Sequence, residues 1–237
     1  MPDYPDDSIQ QIPDSDWWEK DESKQLCRGA LVRTYAQFFS EVPFEIAAAR
    51  AEPTEHNQAT LEVRPLHVGG KRTTAETLPV AGLPRLAGAE SFLAYRGKRR
   101  PCLVIGTPSG PEIEKKLIRG GLSSLRHRFV LVAPYYGVEP ERRAGCPPAF
   151  AERIRHAQYP QFFWDILPMA RGEVSILRLD QIHPVGEHHQ SFEHYGYRLS
   201  DDALKIVDEW LNWHLYDVLG DGLSFFRELI EDIMKDA

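Results

Sequence analysis

Short apolar runs, each entered or stopped by glycine or proline, recur along this chain and restrict it to a β-rich fold. Cys27-Arg28-Gly29-Ala30-Leu31-Val32 reads as a strand entered through glycine. Arg99-Arg100-Pro101-Cys102-Leu103-Val104-Ile105-Gly106 reads as a buried strand led in by arginine and proline, and Phe129-Val130-Leu131-Val132-Ala133-Pro134 as one stopped by proline. Phe162-Phe163-Trp164-Asp165-Ile166-Leu167 adds a strand that packs aromatics. A further run, Val174, Ile176 and Leu177, closes on Arg178-Leu179-Asp180-Gln181-Ile182. Residues i and i+2 of a strand project from one face, so Arg178 and Asp180 are expected side by side. A permanent cation beside a carboxylate is the minimum equipment for acting on a phosphodiester next to a ribose hydroxyl. On these two residues alone, a surface ion pair near a strand end is the commoner use of such a pair.

Taken in order, the Arg-Gly strand, the Arg-Pro strand, the Val-Ala-Pro strand, the Arg-x-Asp-Gln strand and a helix opening at Arg198-Leu199-Ser200-Asp201 resemble the MazF/PemK/Kid family of toxin ribonucleases. The resemblance implies an SH3-like barrel of the MazF/PemK type with a C-terminal helix, here expected in a mainly β (α+β) chain that adds a long insertion after the first strand and an extra C-terminal helix. It also implies a homodimer that cuts single-stranded RNA without a metal or other cofactor and is neutralised by an antitoxin protein. Residue by residue, Arg100 matches the arginine before the family's proline. Arg178 and Asp180 match the arginine and aspartate assigned to catalysis in the Kid-like branch. Where the family commonly has a threonine after its Val-x-Pro strand, this chain has Tyr135-Tyr136-Gly137, which keeps a hydroxyl on a larger side chain.

The catalytic set expected is therefore Asp180, Arg178 and Arg100, with Tyr136, Gln181, His183 and Arg99 as substrate contacts. Asp180 would take the proton from a ribose 2′-hydroxyl, whose oxygen attacks the adjacent phosphorus to give a cyclic phosphate and a free 5′-hydroxyl. A guanidinium with a pKa above ~12 is a poor acid, so Arg178 is read as stabilising phosphoryl charge, and protonation of the leaving group falls to water or His183. Arg100 would hold a neighbouring phosphate through a forked pair of hydrogen bonds, and Tyr136 would stack on a base. The competing reading, a barrel that has lost cleavage and serves as a protein- or RNA-binding module, draws on Tyr136, the acidic balance and the insertion.

The net charge of −7 is the main compositional objection to an RNA partner, because phosphate binding leaves a basic footprint. Much of the acid lies at the two ends, however, in residues such as Asp3, Asp6, Asp7, Glu231, Asp232 and Asp236. Between them come basic runs: Arg96, Lys98, Arg99 and Arg100, then Lys115, Lys116, Arg119, Arg126, His127 and Arg128. At 42% hydrophobic content over 237 residues the chain can bury a core. No apolar run approaches about eighteen residues and no signal-peptide succession opens the sequence, so no membrane span and a cytoplasmic location are expected. Cys27, Cys102 and Cys146 stand far apart, which argues against a disulfide framework and a structural zinc.

Residues 1–23, rich in Asp, Pro and Ser with Trp17-Trp18 as their bulky apolar pair, are expected to form a flexible acidic arm pinned by two indoles. Residues 24–219 are assigned to the barrel domain, with the insertion at about 40–94, and 220–237 to a helical extension. Within the insertion, Ala59 to Val68 alternates as an exposed strand through Leu61 and Val63, and Leu78 to Pro84 reads as irregular chain fixed by prolines. Helical spacing marks Glu112 to Arg119, ended by Gly120-Gly121, and a short helix is expected near Ala149 to His156. Ser200 is a good N-cap ahead of Asp201 and Asp202, with Leu204, Val207, Leu211 and Leu215 as the helix stripe, widened by Trp210 and Trp213. A last helix, Leu223 to Lys235, offers Phe226, Leu229, Ile230 and Ile233.

Gly106-Thr-Pro-Ser-Gly-Pro111 follows a strand but lacks the Gly-Lys-Ser/Thr ending of a phosphate loop. His183, His188, His189 and His194 crowd into one segment without a carboxylate or cysteine at helical spacing to complete a metal ligand set.

Overall fold

A computed structural model describes residues 2–38, 41–70, 73, 76, 78–86, 90–109, 113–114, 128–138, 146–169, 172–188 and 190–235, with only the backbone described at 56, 229 and 231–235. Of the helix expected over Glu112 to Arg119 only residues 113 and 114 are described, without helical structure, and the basic residues Lys115, Lys116, Arg119, Arg126 and His127 lie outside the described residues, as does His189. The chain divides into two compact units, Met1–Tyr35 with Arg99–Ala237, and Ala36–Lys98.

The first unit is built on an eight-stranded, mainly antiparallel sheet. Its strands are β1 (Trp18–Lys20), β2 (Ala30–Gln37), β6 (Gly97–Gly106), β7 (Phe129–Gly137), β8 (Phe162–Ile166), β9 (Val174–Arg178), β10 (His183–Gly186) and β11 (Glu193–Leu199). The order across the sheet is β1-β11-β2-β6-β7-β9-β8, with β10 also pairing β7. Among the described residues β1 and β8 stay at opposite ends and the strands do not close into a barrel. The fold is thus α+β, dominated by β-structure, with helices α1 (Pro148–Arg155), α2 (Asp201–Tyr216) and α3 (Asp221–Lys235).

Gly29 enters β2 at a φ of +83°, a backbone conformation that side-chain-bearing residues rarely adopt, and its N–H donates to the Val104 carbonyl at 2.8 Å. Along one edge of β7, β10 pairs as far as Val132 and β9 takes over at Tyr135. The gap falls at Ala133 and Pro134, where the proline has no N–H to give. The chain between β9 and β10 crosses that gap as a 3-10 turn, Leu179–Gln181.

Strand alternation sorts the side chains onto two faces. Leu31, Leu103, Ile105, Ala133, Tyr135, Phe163 and Leu177 share a core with Val207, Trp210 and Trp213 of α2 and Leu223, Phe226 and Ile230 of α3. The other face buries Ala30, Val32, Cys102, Val104, Val130 and Val132, and separately packs Trp164 and Ile176 against Ala151 and Ile154 of α1. As expected from its sequence, Ser200 caps α2, its hydroxyl accepting from the Ala203 N–H at 3.2 Å. The expected stripe of α2 holds for most of its length: Val207, Trp210 and Trp213 are buried along with Ala203, and Leu204 and Leu211 pack partly buried against the same core, while Leu215 departs from it at 53% exposed. The two indoles bury far more area than a leucine would.

The expected flexible arm is corrected by the packing. Ile9, Trp17 and Trp18 are buried, β1 pairs β11, and Trp17 stacks on Phe163 with ring centroids 5.7 Å apart. Trp17 and Trp18 are therefore core residues, which pin the segment as their sequence suggests.

The second unit carries a three-stranded sheet, β4-β3-β5, from β3 (Phe44–Ala49), β4 (Thr60–Pro65) and β5 (Phe92–Ala94). The segment set apart as an insertion, 40–94, lies inside this unit. Leu61 and Val63 are exposed on β4, as their alternation suggests. Glu45, by contrast, is buried and pairs with Arg64 at 3.3 Å.

Candidate active site

The register of the first sheet explains why four distant residues meet. Cys102 lies opposite Pro134, which carries Arg100 of β6 towards Tyr136 of β7. Tyr136 lies opposite Ile176 of β9, and Arg178, two residues further on, lies opposite Phe162 of β8. All of these project from one face of the sheet. The Arg100 guanidinium carbon sits 3.6 Å from the centre of the Tyr136 ring, and that of Arg178 lies 5.3 Å from the same ring and 5.0 Å from Phe162. Two cations gathered on one aromatic ring make a positive spot on an acidic molecule, and the ring quadrupole offsets part of their repulsion.

Arg178 and Asp180 do sit side by side, but not as strand neighbours. Arg178 is the last residue of β9, Leu179 turns inward and is buried, and Asp180 belongs to the 3-10 turn. The correction has a physical cause: β7 offers no ladder partner at Pro134, so the chain leaves extended geometry one residue early. The two side chains nevertheless form a fork, Nε to Oδ1 at 2.7 Å and Nη2 to Oδ2 at 2.6 Å, about a third exposed to solvent. This hydrogen-bonded carboxylate raises the pKa of Arg178 against the opposing effect of burial. Gln181 completes the turn by accepting from the Tyr136 hydroxyl at 2.7 Å. Among the described residues no carboxylate pairs with Arg100. The charge of Arg178, by contrast, is matched by Asp180.

Arg99 and His183, expected as substrate contacts, stand elsewhere. Arg99 alternates to the opposite side of β6 and points to Glu193 of β11 at 3.6 Å. His183 is only 3% exposed in β10, with its Nδ1 2.9 Å from the Gln181 carbonyl, so it supports the turn from beneath and does not face the surface. The Nε2 of His194 lies 3.2 Å from the Gln25 carbonyl. Among the described residues no three His, Cys, Asp or Glu side chains come together in a metal-binding arrangement.

Two features were missed in the sequence. Cys146 lies close enough to Arg178 for the cation to lower its thiol pKa, although burial raises it more. Asp165 is fully buried on the opposite face, where it accepts from the hydroxyls of Tyr4 at 2.8 Å and Tyr135 at 2.9 Å and from the Ile166 N–H at 2.8 Å. Burial pushes its pKa up to about 7 against those hydrogen bonds. A single acid inside Phe162-Phe163-Trp164-Asp165-Ile166-Leu167 was the available signal, since a carboxylate in an apolar run must find donors. No described helix is long and apolar enough to cross a membrane.

Comparison with models of protein families, with curated proteins and with solved structures finds no match.

Proposed function

We propose that this chain is a metal-independent endoribonuclease of the MazF/PemK toxin type, acting in the cytoplasm as a homodimer under the control of an antitoxin protein. Its main sheet would be an opened, elaborated relative of the SH3-like barrel. The observation that carries the reading is the meeting of Arg100, Tyr136, Arg178 and Asp180 at one place on the sheet, drawn from three strands and a turn. Arg100, which pairs with no carboxylate among the described residues, takes a phosphate of the strand, and a base stacks beside Tyr136. The scissile phosphate then competes with Asp180 for the Arg178 fork. Once displaced, the Asp180 carboxylate is left without its cation next to the ribose, where it accepts the 2′-hydroxyl proton. The 2′-oxygen attacks phosphorus, the bond to the 5′-oxygen breaks, and water protonates the departing oxygen. Arg178 stabilises the charge building on the phosphoryl oxygens, a role worth about 10²–10³ in rate for a preorganised donor.

The closed fork between Arg178 and Asp180 favours one alternative, a module that binds RNA or protein without cutting. A single experiment separates them. Purified protein is incubated with a single-stranded RNA and with the same strand carrying a deoxyribose at the cut site. The nuclease reading expects cyclic-phosphate ends from the first and none from the second. Equal cutting of both defeats the 2′-hydroxyl mechanism, and tight binding with no cutting of either supports the module.

A further inference from the structure

On the other side of β6 from Tyr136, a cavity of about 200 Å³ is lined by Arg33, Tyr35, Arg99, Gln190 and Glu193 among others. Glu193 pairs with Arg33 at 3.3 Å and with Arg99 at 3.6 Å, so two guanidiniums share one carboxylate and the site keeps an excess positive charge. Both pairings are long, and the Glu193 side chain is 65% exposed. Exposed ion pairs of this kind are weak, so a stronger anion displaces the carboxylate cheaply. Arg33 is held independently: its Nε donates to the Tyr195 hydroxyl at 2.9 Å and its guanidinium lies 5.1 Å from the Tyr195 ring centre. Such a cation is positioned before a ligand arrives, which lowers the ordering cost of binding. Beside it the Tyr35 ring stands 63% exposed. The floor is fixed as well, since the Thr34 hydroxyl donates to the Ser191 carbonyl at 2.7 Å.

We propose that Arg33, Arg99 and Tyr35 form a second nucleotide subsite, binding a phosphodiester of single-stranded RNA away from the cut, with Glu193 as the carboxylate that the phosphate replaces. The proposal rests on the reading of the chain as an RNA-acting protein and names where a flanking part of the strand is held. An exposed aromatic ring beside paired guanidiniums is the usual pairing for an unstacked nucleotide, and it favours RNA over a plain acidic ligand.

The test uses the full chain carrying Asp180→Asn, so that RNA stays intact, and reads binding of a labelled oligouridylate by fluorescence anisotropy over a range of salt. Adding Glu193→Gln removes the competing carboxylate and should tighten binding about threefold to tenfold. Arg33→Ala with Arg99→Ala should weaken it about tenfold and reduce the slope of log affinity against log salt by about 0.7 for each phosphate that is no longer neutralised. No change in affinity or slope with either variant overturns the subsite. Equal tightening of free uridine monophosphate by Glu193→Gln, with no gain for the longer strand, overturns it in favour of a mononucleotide site. Stronger capture of a polyglutamate peptide than of RNA overturns it in favour of an acidic protein partner. Failure of the nuclease reading is visible separately, because wild-type protein that binds RNA in this Glu193-dependent way without cutting it keeps the subsite and loses only the chemistry.

Discussion

Tyr135 and Tyr136 are neighbours in β7, and each serves a carboxylate site on its own side of the sheet. Tyr135 points into the core beneath α2 and donates to Asp165, a buried acid held by two tyrosine hydroxyls and a backbone N–H. Burial also drives the Tyr135 phenol well above its ordinary pKa. Tyr136 points the other way, carries two guanidiniums on its ring and neighbours Asp180, an acid held in an arginine fork at the surface. The contrast separates two uses of a carboxylate. Asp165 lies where a charge is costly and hydrogen bonds are obligatory, which suits structure. Asp180 lies where solvent and an incoming phosphate can reach its partner, which suits chemistry.

The largest expected effect breaks the comparison at the surface site. Asp180→Asn should lower RNA cleavage by about 10²–10⁴-fold, the usual worth of a general base. It should leave stability within about 1 kcal/mol, because the pair it removes is solvent-exposed. Asp165→Asn should do the reverse, moving the unfolding midpoint while wild-type cleavage survives under conditions where the variant is folded. Parallel cleavage assays and urea melts on the two variants decide this. Similar behaviour of both would mean that the two acids do not have separate jobs.

Tyr135→Phe against Tyr136→Phe is the next contrast in size. Deleting the Tyr135 hydroxyl strips a fully buried carboxylate of one of its donors, and a cost of about 1–3 kcal/mol is expected in chemical denaturation. The equivalent deletion at Tyr136 removes a bond to Gln181 near the surface and should cost much less.

How much of this could be read beforehand differs between the two sites. The surface cluster was largely legible: Arg100, Arg178 and Asp180 each sit beside an apolar run whose strand character is local, and adjacent antiparallel strands brought them to Tyr136. Local reading failed where a partner lies far along the chain. Trp17 depends on Phe163, Asp165 on Tyr4, and Trp210 of α2 on Phe163. The identity of the partner in each pairing leaves no trace in spacing or composition. Arg99 and Arg100 are adjacent and chemically alike, yet adjacency in a strand is what sends them to opposite faces. The early turn after Arg178 has its cause in Pro134, more than forty residues before it, so the strand reading of Asp180 was bound to miss it.

The pH dependence of stability sharpens the comparison further. Asp165 has a reference pKa of 3.8 and a folded value pushed up to about 7 by burial. In that window the native protein holds a proton that the unfolded chain has released. The contribution of Asp165 to stability is therefore intact below the reference value, falls as pH rises between the two, and is constant above the folded value. The slope is at most about 1.4 kcal/mol per pH unit. Asp165→Asn removes a titrating group, so its stability should gain on the wild type with rising pH across that window. Urea melts of the two proteins from about pH 4 to 8 measure the difference, and parallel curves for wild type and Asp165→Asn would mean that the buried acid does not titrate there.

The smallest expected effect concerns what Tyr136 contributes to its arginines. Phenylalanine at this position keeps the ring under Arg100 and Arg178 and deletes only the hydroxyl that donates to Gln181 at 2.7 Å. If the ring face is what gathers the cations, Tyr136→Phe should change stability by less than about 0.5 kcal/mol, as surface substitutions commonly do. RNA affinity should change by less than about threefold. Tyr136→Leu loses the quadrupole as well, and each guanidinium then forfeits about 0.5–1 kcal/mol of attraction. The leucine variant should bind RNA several-fold more weakly than the phenylalanine one. Should the two variants bind alike while both fall below wild type, the hydroxyl and its link to Gln181 would be the feature that matters. The turn carrying Asp180 would then be positioned through Tyr136, with the arginines oriented by other means.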